Sequence, residues 1–199
     1  LGVGCGKKAV FADQVMTVRG PIDPSERGVT LPHEHVLADF IGADQVSQDR
    51  YDAGEAYEVI LPHLREAHRL GCRTLVECTP AYLGRDVRLL ERLSAATNLN
   101  LLTNTGYYGA ANDKFVPAHA YSESADTLAD RWIGEWEVGI EGLGIRPGFI
   151  KIGVDKTSLS EIDSKLVRTA ARTQLRMGLT IYSHTGYATP AREEIAILQ

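Results

Sequence analysis

Short apolar runs separated by amphipathic stretches recur through most of this chain, and that alternation limits the fold more than any other feature. The runs are Val29–Val36, Thr74–Cys78, Leu99–Thr103, Phe149–Gly153 and Leu179–His184. Between them, apolar residues return at three- and four-residue spacing, the mark of a helix face. Tyr57, Ile60, Leu61, Leu64 and Ala67 form the first such face, ending at Gly71, with Pro62 expected to kink it or to mark a late start. Val87, Leu90 and Leu93 form the second. Ala125, Leu128, Ala129, Trp132, Ile133, Trp136 and Ile140 form the third, with Ser122 or Ser124 as its cap. Ser160 with Asp163 resembles a capping box opening a fourth helix through Ile162, Leu166, Ala170 and Met177 to Gly178, and Thr189-Pro190 opens a fifth. Continuous apolar strands are buried on both faces, which implies a parallel sheet in an α/β fold. No strand leads into G-x-G-x-x-G or a phosphate-binding loop, and the chemically suggestive residues sit at strand C-terminal ends. A (β/α)8 (TIM) barrel fits that placement better than a doubly wound sheet. A complete barrel takes about 250 residues, so these 199 residues are read as its first five β/α units, strands 1–5 over residues 29–199. Residues 1–28 are read as an N-terminal segment and hairpin turning at Gly20-Pro21, with a second turn from Pro24 to Gly28.

Composition sets outer limits. Hydrophobic residues make up 44% and charged residues 24%, an ordinary globular balance that argues against disorder. A formal net charge of −5 offers no basic footprint for nucleic acid. No apolar run approaches the ~20 residues of a membrane-spanning helix. Three cysteines, Cys5, Cys72 and Cys78, have no C-x-x-C spacing and fit buried thiols in a reducing compartment. A cytoplasmic location is favoured, with an exported bacterial protein as the alternative. The chain opens on Leu1, which reads as a processed or truncated N-terminus, and Val10-Phe11-Ala12 before Asp13 faintly resembles a cleavage site.

His33 and His35 lie one residue apart on the first run, so alternation puts them on one face with Cα atoms about 6.6 Å apart. Two imidazoles at that separation can converge on one metal ion. On the fourth run, Ile150 and Ile152 point towards the helices, whereas Phe149, Lys151 and Gly153 point into the barrel. A lysine there loses hydration, which favours the neutral amine. Such an amine can add CO2 to become a carbamate, or attack a carbonyl to form a Schiff base; the alternative is an ammonium snorkelling to the barrel mouth. A carbamate is a two-oxygen anionic ligand able to bridge two cations about 3.5–4 Å apart. His184 ends the fifth run facing the same mouth.

Thr17-Val18-Arg19-Gly20-Pro21 followed by Gly28-Val29-Thr30-Leu31-Pro32-His33-Glu34-His35 resembles the opening of the phosphotriesterase family of the amidohydrolase superfamily. Gly84-Arg85-Asp86, Thr105-Gly106-Tyr107-Tyr108, Gly144 to Lys151 and His184-Thr185 continue the resemblance in order, from about Gln14 onward. It implies a metal-dependent hydrolase barrel with two divalent ions, most commonly zinc. His33 and His35 would hold the more buried ion, His184 the more exposed one, and carbamylated Lys151 would bridge them. It further implies hydrolysis of phosphotriesters, lactones or related small-molecule esters by a metal-bridging hydroxide, with Lys151 and His184 catalytic. Tyr107 or Tyr108 would line the leaving-group or lactone pocket, and a homodimer is compatible with the resemblance.

The family pattern also takes a metal histidine from the sixth strand and a proton-shuttling aspartate from the eighth. Neither strand falls within these residues, so the isolated chain is expected to be unstable and inactive while its full-length parent is a hydrolase. Two other readings stay open: a Schiff-base lyase using Lys151, and a non-catalytic fragment acting as an interaction module. His63 and His68 are expected on the outer surface, His119 in a solvated loop, and Glu77 and Cys78 on the pocket floor. Glu34 is expected to point outward, where it needs a polar partner; Asp155 has no assignable role.

Overall fold

The computed structural model describes residues 13–199. Cys5 and the Val10-Phe11-Ala12 segment lie outside the described residues. The chain opens on an antiparallel hairpin, β1 (Val15–Thr17) and β2 (Gly20–Ile22). It turns through Val18-Arg19 rather than Gly20-Pro21, with the Thr17 hydroxyl donating to the Gly20 carbonyl at 2.7 Å. Asp23 then caps a 3-10 turn over Pro24–Arg27, the second expected turn.

Five strands and five long helices then alternate, with two additions. They run β3 (Val29–Glu34), α1 (Ala53–Arg69), β4 (Cys72–Glu77), α2 (Val87–Thr97) and β5 (Asn100–Leu102). A two-residue strand, β6 (Asn104–Thr105), and a one-turn helix, α3 (His119–Ser122), precede α4 (Ala125–Val138). The chain continues through β7 (Phe149–Gly153), α5 (Glu161–Met177), β8 (Ile181–His184) and α6 (Ala188–Leu198). The strands form two parallel three-stranded sheets, ordered β3-β4-β5 and β6-β7-β8. This mixed α/β architecture with parallel strands is consistent with part of a TIM-barrel-like fold; the described strands do not close into a barrel.

Local chemistry explains the helix bounds. Ser124, not Ser122, caps α4 by accepting the Thr127 N–H, and Ser160 with Asp163 forms the reciprocal capping box of α5. Gly178 ends α5 in a left-handed conformation (φ 76°), open to glycine without a Cβ clash. The helix α1 begins well before Pro62 and runs through it, so the proline does not mark a late start. Pro190 falls in the first turn of α6, where backbone N–H groups have no intrahelical acceptor to lose.

The run expected as the third strand, Leu99–Thr103, is observed as β5, and a separate two-residue strand, β6, follows it directly after Thr103. Upstream, β5 pairs with β4; downstream, β6 pairs with β7 through Asn104 and Phe149. The Thr103 carbonyl accepts the Gly148 N–H at 2.8 Å, so the chain changes neighbours at this residue. Asn104 closes the gap with its side chain. Its Nδ2 donates to the carbonyls of Glu77 (3.0 Å) and Thr79 (3.1 Å) at the end of β4, where a backbone ladder would otherwise run. The Asn104 carbonyl in turn accepts from Arg85, whose guanidinium grips Glu135 of α4.

Three apolar clusters follow from strand alternation. Leu75 and Leu101 pack outward on α1 and α2, through Leu61, Leu64, Leu90 and Leu93. Ile150 and Ile152 pack on α4 and α5, through Leu128, Leu166 and Val167. On the opposite face Val76, Cys78 and Phe149 form an inner cluster with Leu102 and Tyr182. Burial is unequal along the sheets: every residue of β7 is buried, whereas β3 is mostly exposed, with Val29 at 64%. Among the described residues no helix is long and apolar enough to cross a membrane.

Asn104→Ala removes both side-chain bonds across the sheet junction and leaves the Glu77 and Thr79 carbonyls without those donors. A loss of about 2–4 kcal/mol in urea unfolding is expected; a loss below about 0.5 kcal/mol would show that the junction does not depend on this side chain.

Candidate metal centre

Alternation on β7 and its register with β8 decide what faces what. Lys151 lies opposite Tyr182 and Gly153 opposite His184. Tyr182 belongs to the inner cluster with Phe149, so Lys151 and His184 share that inner face. At the other sheet, Glu34 pairs with Glu77, and the Cys78 N–H donates to the Glu34 carbonyl at 2.8 Å. A register shift between Leu31 and Glu34 marks a bulge across Pro32-His33. His33 and His35 emerge with ring centroids 5.4 Å apart, His35 just past the end of the strand.

Electrostatics ties these four groups together. Burial and the neighbouring Lys151 both hold the His33 and His184 imidazoles below their ordinary range. His35 is lowered by burial, then by His33, Lys151 and His184. The Lys151 amine is lowered chiefly by burial, with Cys78 and Glu77 opposing. Lys151 is only 2% exposed, and its amine makes no hydrogen bond or ion pair among the described residues. The three histidines, by contrast, are exposed. Lys151 is thus a buried amine close to three exposed imidazoles, each of which feels its charge.

His35 carries an orienting chain absent from the sequence expectation. Its Nδ1 lies 2.9 Å from the Thr79 hydroxyl, and that hydroxyl donates to the Glu77 carboxylate. A hydroxyl has one proton, so with Glu77 ionised Thr79 must accept from His35 Nδ1–H. The Nε2 lone pair is then free for a ligand. Glu77 does not join Cys78 on the floor, because adjacent residues on a strand face opposite ways. It sits 1% exposed in the outer layer, also accepting the backbone N–H groups of Thr79 and Val36. Burial pushes its carboxyl up to about 7.

The tyrosine pair divides. The ring of Tyr108 lies 5.4 Å from that of His184 and packs over Gly153, where a Cβ would fall 2.6 Å from the ring. Tyr107 turns the other way, 7% exposed against Tyr82 and Trp132, with its hydroxyl 2.9 Å from His119 Nε2. His119 is accordingly held in an aromatic cluster rather than free in a loop. Cys72 and Cys78 are both free and buried, and burial pushes the Cys78 thiol up to about 11.

His33, His35 and His184 lie within electrostatic reach of Lys151, and imidazoles are ligands suited to borderline divalent metals. The model of the phosphotriesterase family matches residues 13–199, and the chain belongs to that family. It is 31% identical to the phosphotriesterase homology protein of Escherichia coli (strain K12), over 89% of this chain and 58% of that protein. It is 29% identical to the aryldialkylphosphatase of Saccharolobus solfataricus, over 82% of this chain and 51% of that one. A third relative, the N-acetyltaurine hydrolase of Rattus norvegicus, is 27% identical over 88% of this chain and 57% of its own length. The chain thus spans a little over half the length of these relatives.

The raised Glu77 carboxyl gives a pH signature. In the unfolded chain this proton leaves near the ordinary value of 4.5, whereas in the fold it is held to about 7. Between those values the folded state binds more protons, so stability falls as pH rises. In chelator-treated protein, Glu77→Gln should gain stability relative to wild type across that window, by at most about 1.4 kcal/mol per pH unit. Parallel urea titrations of the two proteins that keep a constant difference from pH about 5 to about 7 would refute it.

Proposed function

We propose that this chain carries part of the active site of a binuclear metal-dependent hydrolase acting on phosphotriesters, lactones or related small-molecule esters. The observation that carries the reading is Lys151: a buried amine that makes no hydrogen bond or ion pair among the described residues and lies within electrostatic reach of His33, His35 and His184. Family membership supports hydrolase chemistry. In this reading the chain supplies the first five β/α units of a (β/α)8 barrel, and a sixth-strand histidine and an eighth-strand aspartate complete the site.

When bound, two divalent ions, most commonly zinc, supply a Lewis acid and an activated water. His33 and His35 would hold one ion and His184 the other. Lys151 would add CO2 at its neutral amine, releasing one proton and presenting two carbamate oxygens between them. The chain from Glu77 through Thr79 holds the His35 ring with Nε2 directed to the opening. Phe149, Val76 and Cys78 keep water from beneath the lysine. Tyr108, beside His184, would line the substrate pocket; Tyr107 would act on the pocket only through the cluster it shares with Tyr82 and His119.

Metal-depleted protein reconstituted with Zn2+ and 13C-bicarbonate should show a carbamate carbon signal that Lys151→Ala lacks. The variant should also lose metal stoichiometry and, in the full-length protein, roughly a hundredfold or more of aryl dialkyl phosphate or lactone hydrolysis. Thr79→Val should weaken metal affinity by about 10–100-fold. Unchanged metal content and activity in Lys151→Ala would sink the reading. Borohydride trapping of a carbonyl substrate on metal-free protein would favour a Schiff-base lyase.

A further inference from the structure

Beyond the opening, the loops at the ends of β6 and β7 gather three carboxylates. Asp113 comes from the loop after β6, Asp155 lies just past β7, and Asp163 is in the first turn of α5. One oxygen from each can be chosen so that all lie within 4.8 Å of one another. Asp163 is 0% exposed. Its Oδ2 is used by the capping box with Ser160, but its Oδ1 has no hydrogen-bond partner, and neither has the buried Oδ1 of Asp113. Gly109 leaves room at that oxygen, since a Cβ there would fall 2.3 Å from Asp163 Oδ1. Asp155 uses its carboxylate to accept the Asn112 N–H.

We propose that Asp113, Asp155 and Asp163 form a second cation site, distinct from the histidine–lysine opening, that takes a hard divalent ion of the Ca2+ type. The ligands are all oxygen, which suits Ca2+, Mg2+ or Mn2+ over zinc. Carboxylate oxygens within 4.8 Å of one another lie in the range that ligands about 2.3–2.6 Å from a shared Ca2+ can span, and the flexible coordination of Ca2+ accepts such a set more readily than the near-ideal octahedron that Mg2+ demands. The electrostatics agree: burial, then Asp163 and Asp155, push Asp113 up to about 6, with no cationic side chain among the described residues offsetting them. Burial likewise raises Asp163, partly offset by Ser160 and by the nearby Asp155 N–H. A proton shared between two carboxyls would satisfy two oxygens at most; a cation takes all three. The site would clip the loop carrying Tyr108 to the end of β7, beside the Gly109 N–H bond to the Gly153 carbonyl.

The test is calorimetric titration of the full chain with CaCl2, with MgCl2 as competitor. The expected result is one Ca2+ per chain. Asp155→Asn and Asp113→Asn, both isosteric, should each weaken it at least tenfold; asparagine also tolerates the left-handed backbone at 113 (φ 59°). Ca2+ at a hundredfold excess over Kd should raise the wild-type Tm by roughly 5–10 °C and leave the variants' Tm nearly unmoved. Retention of Ca2+ binding in His33→Ala separates this site from the opening, so the hydrolase reading can fail while this one stands. Wild-type protein that takes up neither ion, variants that bind like wild type, or an infrared band showing a shared carboxylic proton at neutral pH would overturn it.

Discussion

The side chain of Asn104 holds two sheets in one curved surface. Its backbone belongs to the ladder with β7, and its amide reaches the Glu77 carbonyl at the end of β4 and the Thr79 carbonyl just beyond it. Were the junction to open, the inner faces of β3-β4 and β7-β8 would no longer be opposed, and the histidines of one sheet would lose the lysine of the other. Arg85 braces the same residue from outside, bonding its carbonyl while paired with Glu135 on α4. A single buried amide thereby couples the helix layer, the strand junction and the geometry of the opening. Both of its donors are directed at backbone acceptors that a ladder would otherwise have satisfied.

Much of this was legible in the sequence because it depends on period-two alternation. That rule puts Ile150 and Ile152 among the helices and Phe149 in the inner cluster, where the structure has them. It also gives Lys151 its direction. Capping chemistry was legible for the same local reason: Ser160 and Asp163 meet within one turn of helix. The second short strand after Thr103 was not legible, because the apolar run ends at Thr103 and the change of neighbour is set by curvature between sheets. The tyrosines could not be told apart from sequence either. Both lie past the end of β6, where alternation no longer applies, and contacts with Trp132 and His184 decide their directions.

The orienting chain behind His35 and the triple aspartate were hidden for a different reason. Glu77 ends β4 and Thr79 lies two residues further on, yet their meaning depends on a histidine more than forty residues upstream. Asp113, Asp155 and Asp163 are ordinary loop and cap residues until the chain brings them together. Asp155 had no readable role alone. A carboxylate's significance in each case lies in whether its oxygens find donors, and only coordinates carry that information.

The uneven burial of the strands has a mechanical consequence. The lysine strand is clamped on both sides, whereas the strand bearing His33 and His35 is the sheet's outer stave, exposed along most of its length. Ion capture by these residues would therefore join a rigid wall to a compliant one, and part of the binding free energy would go into holding the compliant wall still. Any segment that ladders onto the margin of that stave left unpaired among the described residues should sharpen ion affinity without touching an ion.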